Sequence, residues 1–199
     1  MVRRAVWGMM FANDGGPLIV LPRELLDRWK GTDGRPVRKD LPFGPDYVRA
    51  CDAPYPAGLL KVGPGFGLVI GSQDHVSAAQ WLRLPGARGI VLVGWSYAEE
   101  GPRSMVVELL RGGRLTWHRF RRRMELSYGD LVLLHAASAG EEARELHTFG
   151  EGHATIGDGV PVRMEPGTDV LESVEVGGDL NRDPIGCVVC RWIPITEDA

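Results

Sequence analysis

The stretch that most constrains this chain is Leu18-Ile-Val-Leu21, an unbroken apolar run set between Gly15-Gly16-Pro17 and Pro22. Such a run has no polar face to offer solvent, so as a strand it must be covered on both sides. The two glycines can carry the backbone through positive φ, where a Cβ is costly. Pro17 can open a strand without removing a mid-strand donor. Pro22 suits the first turn of a helix, with Glu24 near that helix's positive end. Leu25, Leu26 and Trp29 then share one helical face. The spacing predicts turn, buried strand and packed helix over residues 14–29: a folding nucleus that holds no reactive group.

Covering a strand twice takes layers, and 199 residues are enough for one large domain or two small ones. An apolar share of 44% against 25% charged residues places the chain among water-soluble globular proteins. The longest apolar run, Ala5 to Ala12, is strand-sized and too short to span a bilayer. It follows Arg3-Arg4 but stops at Asn13-Asp14 without a small-residue cleavage site, so it does not read as a secretory signal. Three cysteines, an odd number, give no disulfide framework, and a reduced, cytoplasmic protein is expected. The net charge of -3 conceals a division. Residues 1–140 hold 19 of the 23 basic side chains but 13 of the 26 acidic ones. A dipolar layout of this kind can steer a charged macromolecule, or can serve solubility alone.

Further along, Ala5 to Phe11 reads as a strand, and Lys30 to Gly44 as a polar loop. Pro45 to Cys51 suits a short helix with Tyr47, Ala50 and Cys51 on one side. Leu59–Val62 and Phe66–Ile70 flank Gly63-Pro64-Gly65 as the arms of a hairpin would. Ile90 to Tyr97 is a strand, whereas Met105 to Leu110, ahead of Gly112-Gly113, fits a helix or a strand equally. After Gly113 the texture turns to β. Strands are expected over Leu115–Leu126, Asp130–His135, Val160–Met164, Val170–Val176 and Cys187–Ile195, with one helical turn over Glu141–Leu146. The fold class is therefore α+β, with mixed or antiparallel sheets, few short helices and a mostly β second half. A soft boundary at Gly112-Gly113 divides residues 1–112 from 113–199, unless both halves share one core.

Few residues of the chain stand in patterns that carry chemistry. Cys187-Val-Val-Cys190 has the spacing of a zinc or redox pair but lacks a second ligand pair, and in a strand its thiols would point to opposite faces. Buried, inert thiols are expected, with no metal and no cofactor. The glycine runs at Gly63–Gly67 and Gly150–Gly159 lack the Gly-Lys-Ser/Thr ending of a phosphate loop and read as turns. No nucleophile elbow and no His-Glu-x-x-His stretch occurs, and the histidines at 75, 118, 135, 147 and 153 are dispersed, so no catalytic residue is assigned. The segment from Arg111 to Arg123 interleaves arginines with Trp117, His118 and Phe120, as a single-stranded nucleic-acid groove would. Strand alternation would split those arginines between two faces, which favours a charged edge strand over a nucleic-acid site. The tryptophans at 7, 29, 81, 95, 117 and 192 are expected mainly in the core, any exposed one being a ready anchor for a protein partner.

Several blocks stand in an order that resembles the immunity protein 21 family of bacterial polymorphic toxin systems. They are Trp7; Gly15-Gly16-Pro17 through Pro22; Leu25-Leu26 with Trp29-x-Gly31; Asp46-Tyr47-Val-Arg49-Ala-Cys51; Leu68-Val-Ile-Gly71; and Trp81-Leu82. Gly94-Trp-Ser-Tyr-Ala98 is similar to a further block, with glycine where the family favours a basic residue. At Gly71-Ser-Gln-Asp74 the chain departs from the family's glycine, acid, acid-like residue and proline. The match is clearest over residues 5–100 and thins to Asp130–Ala137 and Arg191–Pro194. The resemblance implies a cytoplasmic antitoxin, without catalytic residues, that neutralises a cognate toxin by occupying it. It gives Trp7, Gly15, Gly16, Pro17, Pro22, Trp29, Asp46, Tyr47, Arg49 and Cys51 a structural role.

The acidic excess after residue 140 suggests that Glu141, Glu142, Glu145, Glu172, Glu175 and Asp179 face a basic toxin. Two rival readings remain. One is a small enzyme or ligand-binding protein with a site assembled from distant residues; the other is a nucleic-acid module using Arg111 to Arg123. No membrane partner is expected, and oligomeric state is open.

Overall fold

The computed structural model describes residues 6–12, 15–36, 43–71, 76, 78–83, 90–95, 103–113, 115–127, 129–146, 153–176 and 187–195. Among these, thirteen strands form two mixed sheets. The larger has seven strands. In spatial order they are β10 (His153–Ala154), β1 (Val6–Ala12), β5 (Ala78–Arg83), β6 (Ile90–Trp95), β13 (Cys187–Pro194), β12 (Gly167–Val176) and β7 (His118–Leu126). The six-stranded sheet runs β3 (Ala57–Val62), β4 (Gly65–Ile70), β2 (Leu18–Pro22), β8 (Asp130–His135), β11 (Asp158–Arg163) and β9 (Arg144–Glu145). All neighbours are antiparallel except the two-residue strands, which pair in parallel: β10 with β1 and β9 with β11. Each sheet contains strands from both sides of residue 112. The fold is α+β and mostly β.

Side-chain alternation builds the layers. Leu18 and Val20 of β2 face a core between the sheets, where they meet Phe11, Trp81, Leu92, Leu171 and Trp192 from the larger sheet. Ile19 and Leu21 face the other way, onto Leu25, Trp29 and Ala50. The apolar run is thus buried along its whole length, in the middle of its sheet between β4 and β8. On the far side of the larger sheet, Val93, Trp95, Val174 and Val189 pack under Val106 of helix α2 (Arg103–Gly112). Helix α1 (Pro45–Cys51) begins with proline at its first turn and buries Val48 and Ala50, with Tyr47 and Cys51 half-buried. Met105–Leu110, ambiguous by period, is helical because its apolar side lies against this sheet.

The expected helix after Pro22 is instead a 3-10 helix, Arg23–Arg28. Pro22 remains extended and pairs with Leu131 in the sheet, and the Glu24 carboxylate accepts the Ser127 N–H at 2.9 Å rather than serving the helix start. Glu141–Leu146 likewise gives only a 3-10 turn, Gly140–Glu142, before joining the sheet as β9. The strand expected from Leu115 begins at His118. The hairpin around Gly63-Pro64, the strand at Asp130 and the strand from Cys187 all form. No helix among the described residues is long and apolar enough to cross a membrane.

Candidate functional site

The outermost strands β7 and β3 of the two sheets, with β12, enclose an open groove of about 570 Å³. One wall is Pro54, Tyr55 and Pro56 leading into β3, with Leu59 beyond. The other is His118, Phe120, Arg121 and Arg122 of β7, and Ser173 and Glu175 of β12 lie between them. The Tyr55 hydroxyl donates to a Glu175 carboxylate oxygen at 3.2 Å, tying the walls together.

The register of β7 explains how the arginines reach the groove. Arg123 pairs with Val170 and Arg119 with Glu172, so Phe120, Arg121 and Arg122 stand opposite Leu171 alone. A bulge of this kind re-aims side chains and blunts an exposed edge. Arg121 and Arg122 are exposed and have no carboxylate within ion-pair distance among the described residues. The Arg122 guanidinium lies 6.0 Å from the centre of the Phe66 ring, with the Lys61 ammonium 4.8 Å from it. Sequence alternation thus placed β7 correctly as a charged edge strand with arginines on two faces.

On the opposite face Arg119 meets Glu172. That carboxylate is buried, accepting from Arg119 Nε at 3.1 Å and from Arg191 at 2.9 and 2.6 Å. The Arg191 guanidinium in turn lies 3.8 Å from the centre of the Trp117 ring. Trp117 and Trp7 are half-buried, while Trp29, Trp81, Trp95 and Trp192 fill the interior.

The acidic residues singled out by sequence are not gathered into one surface. Glu141, Glu142 and Glu145 are exposed on the 3-10 turn and β9, at the end of the smaller sheet away from β3. Glu141 pairs with Lys30 at 2.9 Å, and Glu145 pairs with Arg23. Glu172 is enclosed as described, Glu175 borders the groove, and Asp179 lies outside the described residues.

The motif residues converge on a knot beneath the smaller sheet. Gly16 has φ +85°, and a Cβ there would stand 2.6 Å from the Tyr47 hydroxyl. The Ala137 N–H donates to His135 Nδ1 at 3.1 Å, so His135 Nε2 carries the hydrogen facing the Gly15 carbonyl at 2.7 Å. Tyr47 stacks on this imidazole with ring centres 6.3 Å apart. The Trp29 indole donates to the Ala136 carbonyl at 3.0 Å. Asp46 accepts the Lys30 N–H and Arg49, each at 3.0 Å, and Arg49 also reaches the Lys61 carbonyl. Pro17 O accepts from Ala136 N at 3.0 Å, completing the tie between the Gly-Gly-Pro turn and β8. Cys51 ends α1, and Trp7 lies on the other sheet beside Arg103. Hydrogen bonds and packing thus occupy most of the motif residues.

Cys187 and Cys190 face opposite sides of β13, one toward α2 and the other into the central core. Burial pushes both thiols up to about 12, leaving the nucleophilic thiolate scarce near neutrality. No group of three or more possible metal ligands is found among the described residues. Ser72, His75, Ser96, Arg114, His147 and the 150–152 part of the second glycine run lie outside them. Sequence reasoning missed Pro54, Tyr55, Leu59 and Ser173 as neighbours of the arginines, because only the meeting of two sheet edges joins them.

The family model described as Immunity protein 21 matches residues 10–181, which takes in the whole six-stranded sheet and the groove but stops short of β13 in the larger sheet. No match is found among curated proteins or among solved structures.

Proposed function

The chain belongs to the immunity protein 21 family, and from that premise we propose that it is an antitoxin. It binds a cognate toxin domain stoichiometrically and holds it inactive in the bacterial cytoplasm, performing no chemistry itself. The observation that carries this reading is the family match across residues 10–181. A sandwich of two sheets with a helical cover on each outer face supplies the rigidity such binding needs: little conformational freedom is left to lose on association.

Glu141, Glu142 and Glu145 form the acidic surface proposed to steer a basic toxin toward the protein. Glu141 and Glu145 already hold Lys30 and Arg23, so Glu142 carries most of the unpaired negative charge that this surface offers. Reversing all three charges slows association and flattens its salt dependence; unchanged kinetics remove them from the encounter. A toxin domain encoded in a neighbouring reading frame is the expected partner, and co-expression with it tests the function itself. Cells survive with the intact gene and die with a frameshifted one; death in both cases defeats the reading.

A further inference from the structure

We propose that the groove between β7 and β3 is the toxin-docking site, and that it receives an acidic, partly apolar loop of the toxin. This rests on the antitoxin reading and adds to it the surface and the chemistry of the bound segment. Three observations carry it.

The first is charge. Arg121 and Arg122 are exposed at the groove and have no ion-pair partner among the described residues. An incoming carboxylate meets two guanidinium groups able to grip it through paired N–H donors. The second is the bulge. Discouraging aggregation along an edge strand requires only charge or irregularity; it does not require a cavity. Here the bulge opposite Leu171 puts both arginines beside a space of about 570 Å³ whose walls include Tyr55, Leu59 and Phe120. That space accepts an apolar side chain next to the arginine-bound carboxylate, the anchor-and-rim pattern in which binding energy concentrates. The third is preorganisation. The Tyr55–Glu175 hydrogen bond ties the two walls together before anything binds.

Two other occupants fit less well. A second copy docked groove to groove would set arginine against arginine. A nucleic-acid strand would find stacking surfaces and cations, but its phosphates would also meet the Glu175 carboxylate in the groove. A peptide avoids that conflict by placing a hydrogen-bond donor there.

The test uses the full chain, the toxin domain from the neighbouring reading frame and a single-stranded oligonucleotide as competing probe. The variant Arg121→Glu/Arg122→Glu is expected to weaken toxin binding at least about tenfold, mainly by faster dissociation. A photo-crosslinking residue in the otherwise native protein, Thr116→p-benzoylphenylalanine, is expected to capture the toxin, whereas the same probe at Glu142 does not. Wild-type affinity in the double variant, or full binding with no capture from Thr116, overturns the groove while leaving the antitoxin reading intact. If the double variant fails to fold by circular dichroism, capture from Thr116 decides alone. Retention on the oligonucleotide that the double variant loses, with toxin affinity unchanged, assigns the groove to nucleic acid and also overturns the proposal. Failure of the wild-type chain to bind the toxin defeats both readings.

Discussion

Gly16 and Asp169 show how much can hang on single residues outside the groove lining. At Gly16 the backbone is left-handed and the Tyr47 hydroxyl occupies the space of a side chain. Gly16→Ala therefore adds backbone strain to a steric clash and is predicted to cost roughly 1–3 kcal/mol, read by urea denaturation. Asp169 is a case of charge. Burial raises its carboxyl from 3.8 to about 6, so between those values the folded protein holds more of this proton than the unfolded chain does. The stability it contributes is complete below the unfolded value and is lost as pH rises through the folded one. Asp169→Asn is predicted to be more stable than the parent by roughly 1–3 kcal/mol at about pH 8, with the gain gone near pH 3.5. Thermal melts across that range measure it. Asp158 goes the other way: burial alone would raise its carboxyl, but the Thr155 N–H and the Arg144 guanidinium outweigh burial and hold it below the ordinary range.

Among the elements, β7 balances exposure and anchoring. Its free edge carries the groove arginines, while Arg119 shares the buried Glu172 with Arg191 of β13. Glu172→Gln leaves Arg191 facing a neutral amide and is predicted to destabilise by roughly 1–3 kcal/mol. Arg119 is 62% exposed and contributes little of that, so Arg119→Gln should change stability much less. The same melts compare the two. Legibility in the sequence also divides by element. The run at β2 was readable because an apolar stretch without a polar face permits only two-sided burial, and the split of Cys187 from Cys190 followed from strand alternation. Helix α2 was not readable, since Met105-Val-Val-Glu-Leu-Leu110 satisfies both periods and only packing against the larger sheet selects one. The turn at Gly140–Glu142 misled for a similar reason: its acidic, helix-like text is overridden by pairing of Arg144 and Glu145 with β11. Of the groove, the basic wall at 118–122 and Glu175 carried a local signal, but their meeting with residues 54–59 did not, because those stretches are joined only by the fold.

For the whole molecule, the interleaving of strands from either side of residue 112 in both sheets supports a proposal that the two halves fold together. A chain ending at residue 112 would leave one backbone edge of β2 and of β6 unpaired, since their ladder partners β8 and β13 come later. It is predicted to show no cooperative thermal transition, whereas a sharp transition would establish the first half as a domain. That the protein acts by occupying a toxin and transforms nothing is a proposal. The most direct measurement is a titration of the purified toxin domain's activity with increasing amounts of the purified chain. Neutralisation by occupancy predicts a linear fall that reaches baseline at one molecule of chain per toxin. Complete inactivation by a small fraction of that amount would reveal turnover, and undiminished activity at a large excess would show that no neutralising complex forms; either result contradicts it.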